Sequence, residues 1–212
     1  MTDKKFHTFS VPLGLLDYVN PVFYTITMLT LIRNLSGSMG SPYNTIFKTG
    51  AIISIFFGFL IPTGKVLVGL KIVKFRMPVS LVFCVNTGIF LSGMMLAKYV
   101  TGFSPAALLI LGALIIGLLI LIYVKTRKMN TVAVLIGAAG YLLIYNSLIT
   151  MSIRKGIMIP VILYGTAILL FVMLCGIGIR ANLKDPRVHW VIEISNVICQ
   201  GLVALATVLL FR

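Results

Sequence analysis

Residues 105–123 read Pro-Ala-Ala-Leu-Leu-Ile-Leu-Gly-Ala-Leu-Ile-Ile-Gly-Leu-Leu-Ile-Leu-Ile-Tyr, with no strongly polar side chain before the terminal tyrosine. A helix of about 20 such residues crosses the roughly 30 Å of hydrocarbon in a bilayer. Hydrocarbon offers no hydrogen-bond partners, so the backbone of such a run must bond to itself as a helix. We therefore predict a transmembrane helix that is apolar on every face and lies at the periphery of a bundle, against lipid.

Apolar runs of similar length recur on both sides of this segment, separated by short clusters of basic residues. The connection over residues 34–42 is long and rich in Gly and Ser, whereas the others are short, so consecutive helices are expected to be antiparallel in one domain over residues 1–212. The sequence thus predicts an all-α, polytopic bundle of about seven transmembrane helices. Their predicted bounds are 13–32, 49–70, 78–100, 105–124, 131–153, 158–179 and 190–211.

The composition of the whole chain also favours a membrane location. Hydrophobic residues make up 59% of the 212 residues and charged residues 10%, whereas a soluble chain carries roughly a quarter charged residues. A net charge of +14 would suggest a nucleic-acid partner for a soluble protein. Here the basic residues cluster at helix ends, where they meet lipid headgroups. The expected partner is the lipid bilayer, and no nucleic acid is expected.

The distribution of lysine and arginine predicts how the chain is oriented. Lys4 and Lys5 precede only a short apolar piece that Asp17 interrupts, so we expect no cleavable signal peptide and a first segment that stays in place. The N-terminal side of the predicted bundle holds eleven lysines and arginines and the other side six, with Lys65 left out because it lies inside a helix. The positive-inside rule therefore predicts a multi-pass protein of the cell membrane with a cytoplasmic N-terminus.

Segments one to three and five to seven show a weak internal similarity. Residues 24–33 align without gaps beside residues 145–154, and Asn86 of the third segment corresponds to Asn196 of the seventh. Chance similarity between apolar helices is the competing interpretation. Segments one and five run in the same direction, so a duplication would give parallel repeats in a three-plus-one-plus-three order, with the fourth segment as a linker.

Polar side chains inside the apolar segments are the candidates for a functional site. A central Lys or Asp costs roughly 2.5–3.5 kcal/mol on insertion scales, so such residues usually face protein or water. Glu193, Asn196 and Gln200 are spaced by three and four residues and fall on one stripe of the seventh helix. Together with Asn86 and Asn146, they are predicted to line a substrate-binding cavity. Hydrogen bonding between helices is the alternative role for the amides.

Three ionisable residues each have two interpretations. Glu193 either faces a cavity or pairs at the interface with Arg187 or His189. Asp17, close to the start of the first segment, is either functional or an interfacial, cap-like group. The ammonium of Lys65 either reaches back to the membrane interface or faces a cavity.

The sequence predicts no metal, cofactor or catalytic set. No CxxC motif or Cys/His ligand spacing occurs, and the cysteines fall in apolar stretches that favour small buried hydrophobes. A hydrolase would need a carboxylate pair, or a nucleophile with a base, and few such groups are present. Passage or binding of a small polar solute is therefore favoured over catalysis. The three cysteines are Cys84, Cys175 and Cys199.

Seven helices in a three-one-three order, with Asn86 in the third and Asn196 in the seventh, resemble the SWEET family of sugar facilitators. Residues 194–202 read Ile-Ser-Asn-Val-Ile-Cys-Gln-Gly-Leu, which is similar to the Ile-Pro-Asn-Val pattern of that family, with Ser195 in place of proline. The resemblance implies a central site that includes the two asparagines. The chain departs from the family in lacking its Pro-Gln pair and cavity tryptophans, and its charge bias is opposite to the family's outside N-terminus, so the resemblance implies the architecture more than sugar as substrate.

The last three segments also resemble lysoplasmalogenase-like membrane proteins, which implies a lipid hydrolase. Their intramembrane aspartates are missing here, because Lys65 follows Gly64 where a Gly-Asp pair would be expected. The sequence therefore predicts a small-solute transporter or facilitator that works by rocking two three-helix bundles without ATP. The first alternative is a non-transporting membrane protein, such as a receptor-like module, an immunity protein or an assembly subunit, and the lipid hydrolase comes third.

Overall fold

A computed structural model describes residues 10–73, 78–180 and 186–212, whose regular structure is entirely α-helical. The predicted basic clusters include Lys4, Lys5, Lys74, Arg76 and Lys184, which lie outside the described residues. The helices are α1 (Val11–Asp17), α2 (Val19–Leu35), α3 (Tyr43–Gly69), α4 (Val79–Thr101), α5 (Pro105–Thr126), α6 (Met129–Arg154), α7 (Met158–Arg180) and α8 (Pro186–Leu210).

The described helices form seven stretches long and apolar enough to cross a membrane, which confirms the seven-helix prediction. Helices α1 and α2 together make the first span, and α3 to α8 make the other six. The largest difference from the predicted bounds is the start of α3, at Tyr43 rather than residue 49. This first turn is polar in sequence, but Phe47 is fully buried and the Tyr43 ring lies under the ammonium of Lys98 at 4.1 Å. These contacts extend the helix beyond its apolar run.

The first span is interrupted at Tyr18. Pro21 has no N–H group and cannot donate to the carbonyl of Asp17 four residues earlier. Just before this point the chain forms a tighter turn, because the N–H of Tyr18 donates to the Leu15 carbonyl three residues earlier, at 3.2 Å. The interruption places Asp17 and Asn20 at a helix junction within the span.

The spans pack as a ring in which most chain neighbours are also neighbours in space. Helix α3 packs on α4, α4 on α6, α6 on α7 and α7 on α8, and α8 closes the ring against α1 and α2, which also contact α3. The neighbour order of the first three spans thus recurs in the last three. Among the described helices, α5 has substantial contact with α6 alone, and Leu108 is its one buried side chain. The fourth span is peripheral, as predicted, because an all-apolar helix needs no protein partner.

Helix α4 is held between α3 and α6 by close backbone approach at glycines. A Cβ atom added to Gly88 would lie 2.6 Å from the carbonyl oxygen of Gly50 in α3. A Cβ atom added to Gly140 in α6 would lie 2.6 Å from the backbone nitrogen of Phe90 in α4. Small residues allow this packing, which is a main source of helix association in a bilayer.

Two basic side chains of the α6–α7 turn tie neighbouring helices together at the end of the bundle away from the N-terminus. Arg154 donates through Nη1 to the carbonyl of Val100 at 2.6 Å, and Lys155 donates through Nζ to the carbonyl of Leu210 at 3.1 Å. Both acceptors belong to last turns, where carbonyls lack intrahelical donors. The favourable interaction of a cation with a helix C-terminus adds to these bonds. One turn of chain therefore links the ends of α4, α6 and α8.

Candidate functional site

Three charged side chains from three helices meet inside the bundle. The Nζ atom of Lys65 in α3 lies 2.6 Å from Oδ2 of Asp17 in α1 and 2.8 Å from Oε1 of Glu193 in α8. The three side chains are 14%, 11% and 12% exposed. One ammonium thus bridges two carboxylates, and the three groups carry a formal charge of −1 between them. We call Asp17, Lys65 and Glu193 the charged cluster.

Asn20 joins the two carboxylates of the charged cluster. Its Nδ2 atom lies 3.2 Å from Oδ1 of Asp17 and 3.4 Å from Oε2 of Glu193. The residue is 9% exposed, and its Oδ1 atom is buried without a hydrogen-bond partner among the described residues. Since a buried acceptor left unpaired costs about 1–3 kcal/mol, Oδ1 is an acceptor available to a donor that enters the site.

Local structure explains why these groups converge at one end of the membrane. Asp17 ends α1 because of the interruption that Pro21 causes, and Lys65 lies one turn before the end of α3. Glu193 lies two turns into α8, which starts at the same side of the bundle. A hydrogen bond of 2.7 Å between the Tyr18 hydroxyl and Oγ1 of Thr63 holds the end of α1 against α3. The charged cluster therefore lies one to two helical turns inside the N-terminal side of the bundle.

A cavity of about 150 Å³ runs from the charged cluster toward the middle of the bundle. A cavity of this volume has room for several water molecules, so it suits a small solute. Helices from both halves of the ring line it. Its polar lining consists of Asp17, Asn20, Tyr24, Ser54, Tyr141, Asn196 and Gln200.

The inner part of the cavity is built from aromatic and amide side chains. The hydroxyl of Tyr24 accepts a hydrogen bond from Oγ of Ser54 at 2.9 Å, and the rings of Tyr24 and Tyr141 meet edge to face at 6.2 Å. Nε2 of Gln200 lies 3.5 Å from the hydroxyl of Tyr145. These contacts fix the lining and leave it with hydroxyl and amide groups for a polar ligand.

Two prolines add backbone acceptors beside the cavity. Pro21 and Pro62 both line it, as do Asp17 and Gly58, which precede them by four residues. Because proline has no N–H group, the carbonyls of Asp17 and Gly58 lack their usual donor four residues later. Carbonyls freed in this way are tolerated within a membrane where they border a polar cavity.

The structure brings three of the five predicted substrate-binding residues together. Asn196 and Gln200 line the cavity, and Glu193 belongs to the charged cluster at its end. Asn86 packs instead on Gly137 at the contact of α4 with α6, so closely that a Cβ atom on the glycine would overlap its amide. Asn146 is exposed on α6 and donates to the Leu142 carbonyl of its own helix at 2.8 Å. Neither Asn86 nor Asn146 is among the residues that line the cavity.

Asp17, Asn20 and Lys65 are central to the site but were not in the predicted set. Each is recognisable in the sequence as a candidate, because a polar or ionisable side chain inside an apolar segment needs a partner. Asp17 and Lys65 each also had an interfacial interpretation when considered alone. The decisive contacts join distant positions, with Lys65 and Glu193 separated by 128 positions in the chain. Glu193 contacts Lys65 and Asn20 beside the cavity.

Comparison with protein-family models, with curated proteins and with solved structures finds no match for this chain. Within residues 10–73, 78–180 and 186–212, no three His, Cys, Asp or Glu side chains gather as ligands of a metal would. The described residues supply seven spans, and the chain is an integral membrane protein by its structure.

Proposed function

We propose that the chain is a small-solute transporter or facilitator of the cell membrane, with its substrate site in the cavity beside the charged cluster. The observation that carries this proposal is a half-open cavity within the ring, to which both three-helix groups contribute polar side chains. Polar and charged groups inside a bilayer are costly, and they usually mark a path for ions or solutes. The peripheral α5 between two groups of three spans supports rocking of the two groups about this site, without ATP.

The N-terminal side of the bundle and its interior differ in a way that supports alternating access. At the N-terminal side, side-chain contacts of the charged cluster hold α1, α3 and α8 together, and these side chains keep 11–14% exposure. Deeper in the bundle, backbone contacts at Gly50 and Gly88 bring α3 and α4 together. Side-chain contacts rearrange more easily than close-packed backbone. We infer that the cavity exchanges solute toward the N-terminal side in this conformation.

Uptake by purified protein in liposomes tests the proposed site. With a panel of radiolabelled small solutes that includes sugars, amino acids and alkylamines, Asn196→Ala and Gln200→Ala should each lower uptake of the transported solute about tenfold. This loss corresponds to one hydrogen bond of roughly 1.5 kcal/mol. Asn34→Ala is the matched control, because the Asn34 amide donates to the Thr30 carbonyl of its own helix at an exposed position.

Two results would contradict the proposal. The first is uptake no faster than in protein-free liposomes for every solute of the panel, which would favour a non-transporting membrane protein. The second is equal uptake by wild type, Asn196→Ala and Gln200→Ala for a solute that is transported, which would move the site elsewhere. Lipid turnover by the purified protein would instead indicate the hydrolase.

We also propose that the N-terminus is cytoplasmic, which follows from the excess of basic residues on that side. In a cysteine-free background, Gly37→Cys lies in the exposed connection between α2 and α3, and Thr126→Cys lies at the exposed end of α5. A maleimide that cannot cross membranes should label Gly37→Cys in intact cells and Thr126→Cys only after permeabilisation. Labelling in the reverse pattern would place the N-terminus outside.

A further inference from the structure

We propose that the cavity binds solutes that carry a primary ammonium group, and that such a group displaces the ammonium of Lys65 from Asp17 and Glu193. This inference rests on the proposed transport function and names its substrate class. The charged cluster already holds one primary ammonium group, that of Lys65. An ammonium lies between the two carboxylates at 2.6 and 2.8 Å, the distances of charge-assisted hydrogen bonds.

The acceptors of the site match the donors of a primary ammonium. Such a group has three N–H donors and no acceptor. The charged cluster offers Oδ2 of Asp17 and Oε1 of Glu193, and the amide of Asn20 offers its unpartnered Oδ1. The amide is placed beside both carboxylates, since its Nδ2 lies 3.2 and 3.4 Å from them. A free ammonium, which is not tied to a helix, can adjust its position to use all three acceptors.

The sign of the charge also selects a cation. Asp17 and Glu193 contribute two negative charges and Lys65 one positive charge. An anionic solute would meet two carboxylates, and a neutral solute would leave them without compensation if Lys65 withdrew. A solute that brings its own ammonium replaces the Lys65 charge one for one. The exchange therefore keeps the buried charge constant, which is the least costly way to open the cluster inside a membrane.

Lys65 is placed so that it can withdraw. It lies four residues before the end of α3 at Gly69, and its side chain is already 14% exposed. A lysine near a helix end can extend its stem along the helix and carry its ammonium to the interface. The cavity beyond the cluster, lined by Asn196 and Gln200, then takes the rest of the solute. Its volume of about 150 Å³ accommodates a small remainder of the solute.

Binding of ethanolamine and of methylammonium to the full chain in nanodiscs tests this inference, by calorimetry and by the thermal unfolding midpoint. Wild type should bind both. Asp17→Asn and Glu193→Gln should each weaken binding at least tenfold, because each removes a charged acceptor. Lys65→Met should strengthen binding at least tenfold, because it removes the competitor. Lys98→Met, which removes a cation over the Tyr43 ring in another part of the bundle, should bind as wild type does.

Two further ligands distinguish recognition of the N–H donors from attraction of any cation to the carboxylates. Tetramethylammonium has the charge but no N–H donor and should bind at least tenfold more weakly than methylammonium. Sodium or potassium chloride at equal ionic strength should not compete. If Lys65→Met does not fold, Lys65→Arg serves in its place, and its persistent, two-pronged guanidinium should weaken ammonium binding relative to wild type.

Several outcomes would overturn the ammonium site: equal binding by wild type, Asp17→Asn and Glu193→Gln, equal binding of tetramethylammonium, or full competition by sodium. Uptake of a neutral solute by a protein that binds no ammonium would overturn the substrate class and leave transport standing. Ammonium binding without uptake in liposomes would overturn transport and leave the binding site standing.

Discussion

Replacing Lys65 with methionine should lower the free energy of unfolding by about 3 kcal/mol. Methionine keeps much of the apolar stem but leaves the carboxylates of Asp17 and Glu193 side by side without their shared ammonium. Removing one partner of a buried ion pair typically costs 3–5 kcal/mol, and the partial exposure of this cluster favours the lower value. Unfolding of the purified protein in detergent, followed by circular dichroism as dodecyl sulfate is added, measures the loss.

A compensating variant distinguishes the effect of the Lys65 charge on stability from the effect of its side-chain packing. The triple variant Lys65→Met, Asp17→Asn, Glu193→Gln carries no charge in the cluster and should recover most of the lost stability. Lys98→Met is the control for loss of a lysine, and its cation–π contact accounts for about 1 kcal/mol at most. A triple variant as unstable as Lys65→Met would show that packing of the lysine stem, rather than its charge, stabilises the site.

Adding a methyl group at the buried glycines should have the next largest effect. Gly88→Ala and Gly140→Ala should each destabilise the bundle by about 2–3 kcal/mol, because the new Cβ would lie 2.6 Å from backbone atoms that cannot rotate away. The same substitution at Gly117 or Gly165, where nothing lies within 4 Å, should be neutral or slightly stabilising, since alanine favours the helix by up to about 1 kcal/mol.

The same dodecyl sulfate titration compares these four variants under identical conditions. The design is matched, because every substitution is Gly→Ala inside a helix and differs only in what surrounds the new atom. Similar midpoints for all four would contradict the tight contact of α4 with α3 and α6. If only Gly140→Ala loses stability, the tight contact exists between α4 and α6 but not between α4 and α3.

The spans could be predicted because the bilayer acts on each segment separately. The thickness of the hydrocarbon sets the length of every apolar run, and the all-apolar residues 105–123 indicated a peripheral helix without knowledge of any neighbour. Features that depend on contacts with neighbouring helices were harder to predict from the sequence. The early start of α3, for example, relies on the burial of Phe47 within the bundle.

The site could be predicted only where its residues share a helix. Glu193, Asn196 and Gln200 follow the helical period, so their common stripe is visible in the sequence. Asn146 shows the limit of this reasoning, because a polar side chain can face outward when its amide donates to a carbonyl of the preceding turn. The contact of Lys65 with Asp17 depends on how α1 and α3 pack, which no local pattern encodes.

The α6–α7 turn ties helices together at the end of the bundle opposite the charged cluster. Separating the ends of α4 and α8 from the α6–α7 turn must break the bonds that Arg154 and Lys155 make there, whereas separating α1, α3 and α8 at the other end must break the ion pairs of the charged cluster. Each hydrogen bond from a charged donor contributes about 1.5–3 kcal/mol, and each 1.4 kcal/mol changes a population ratio tenfold. Charged donors therefore hold both ends of the bundle together: backbone carbonyls accept their bonds at one end and carboxylates at the other.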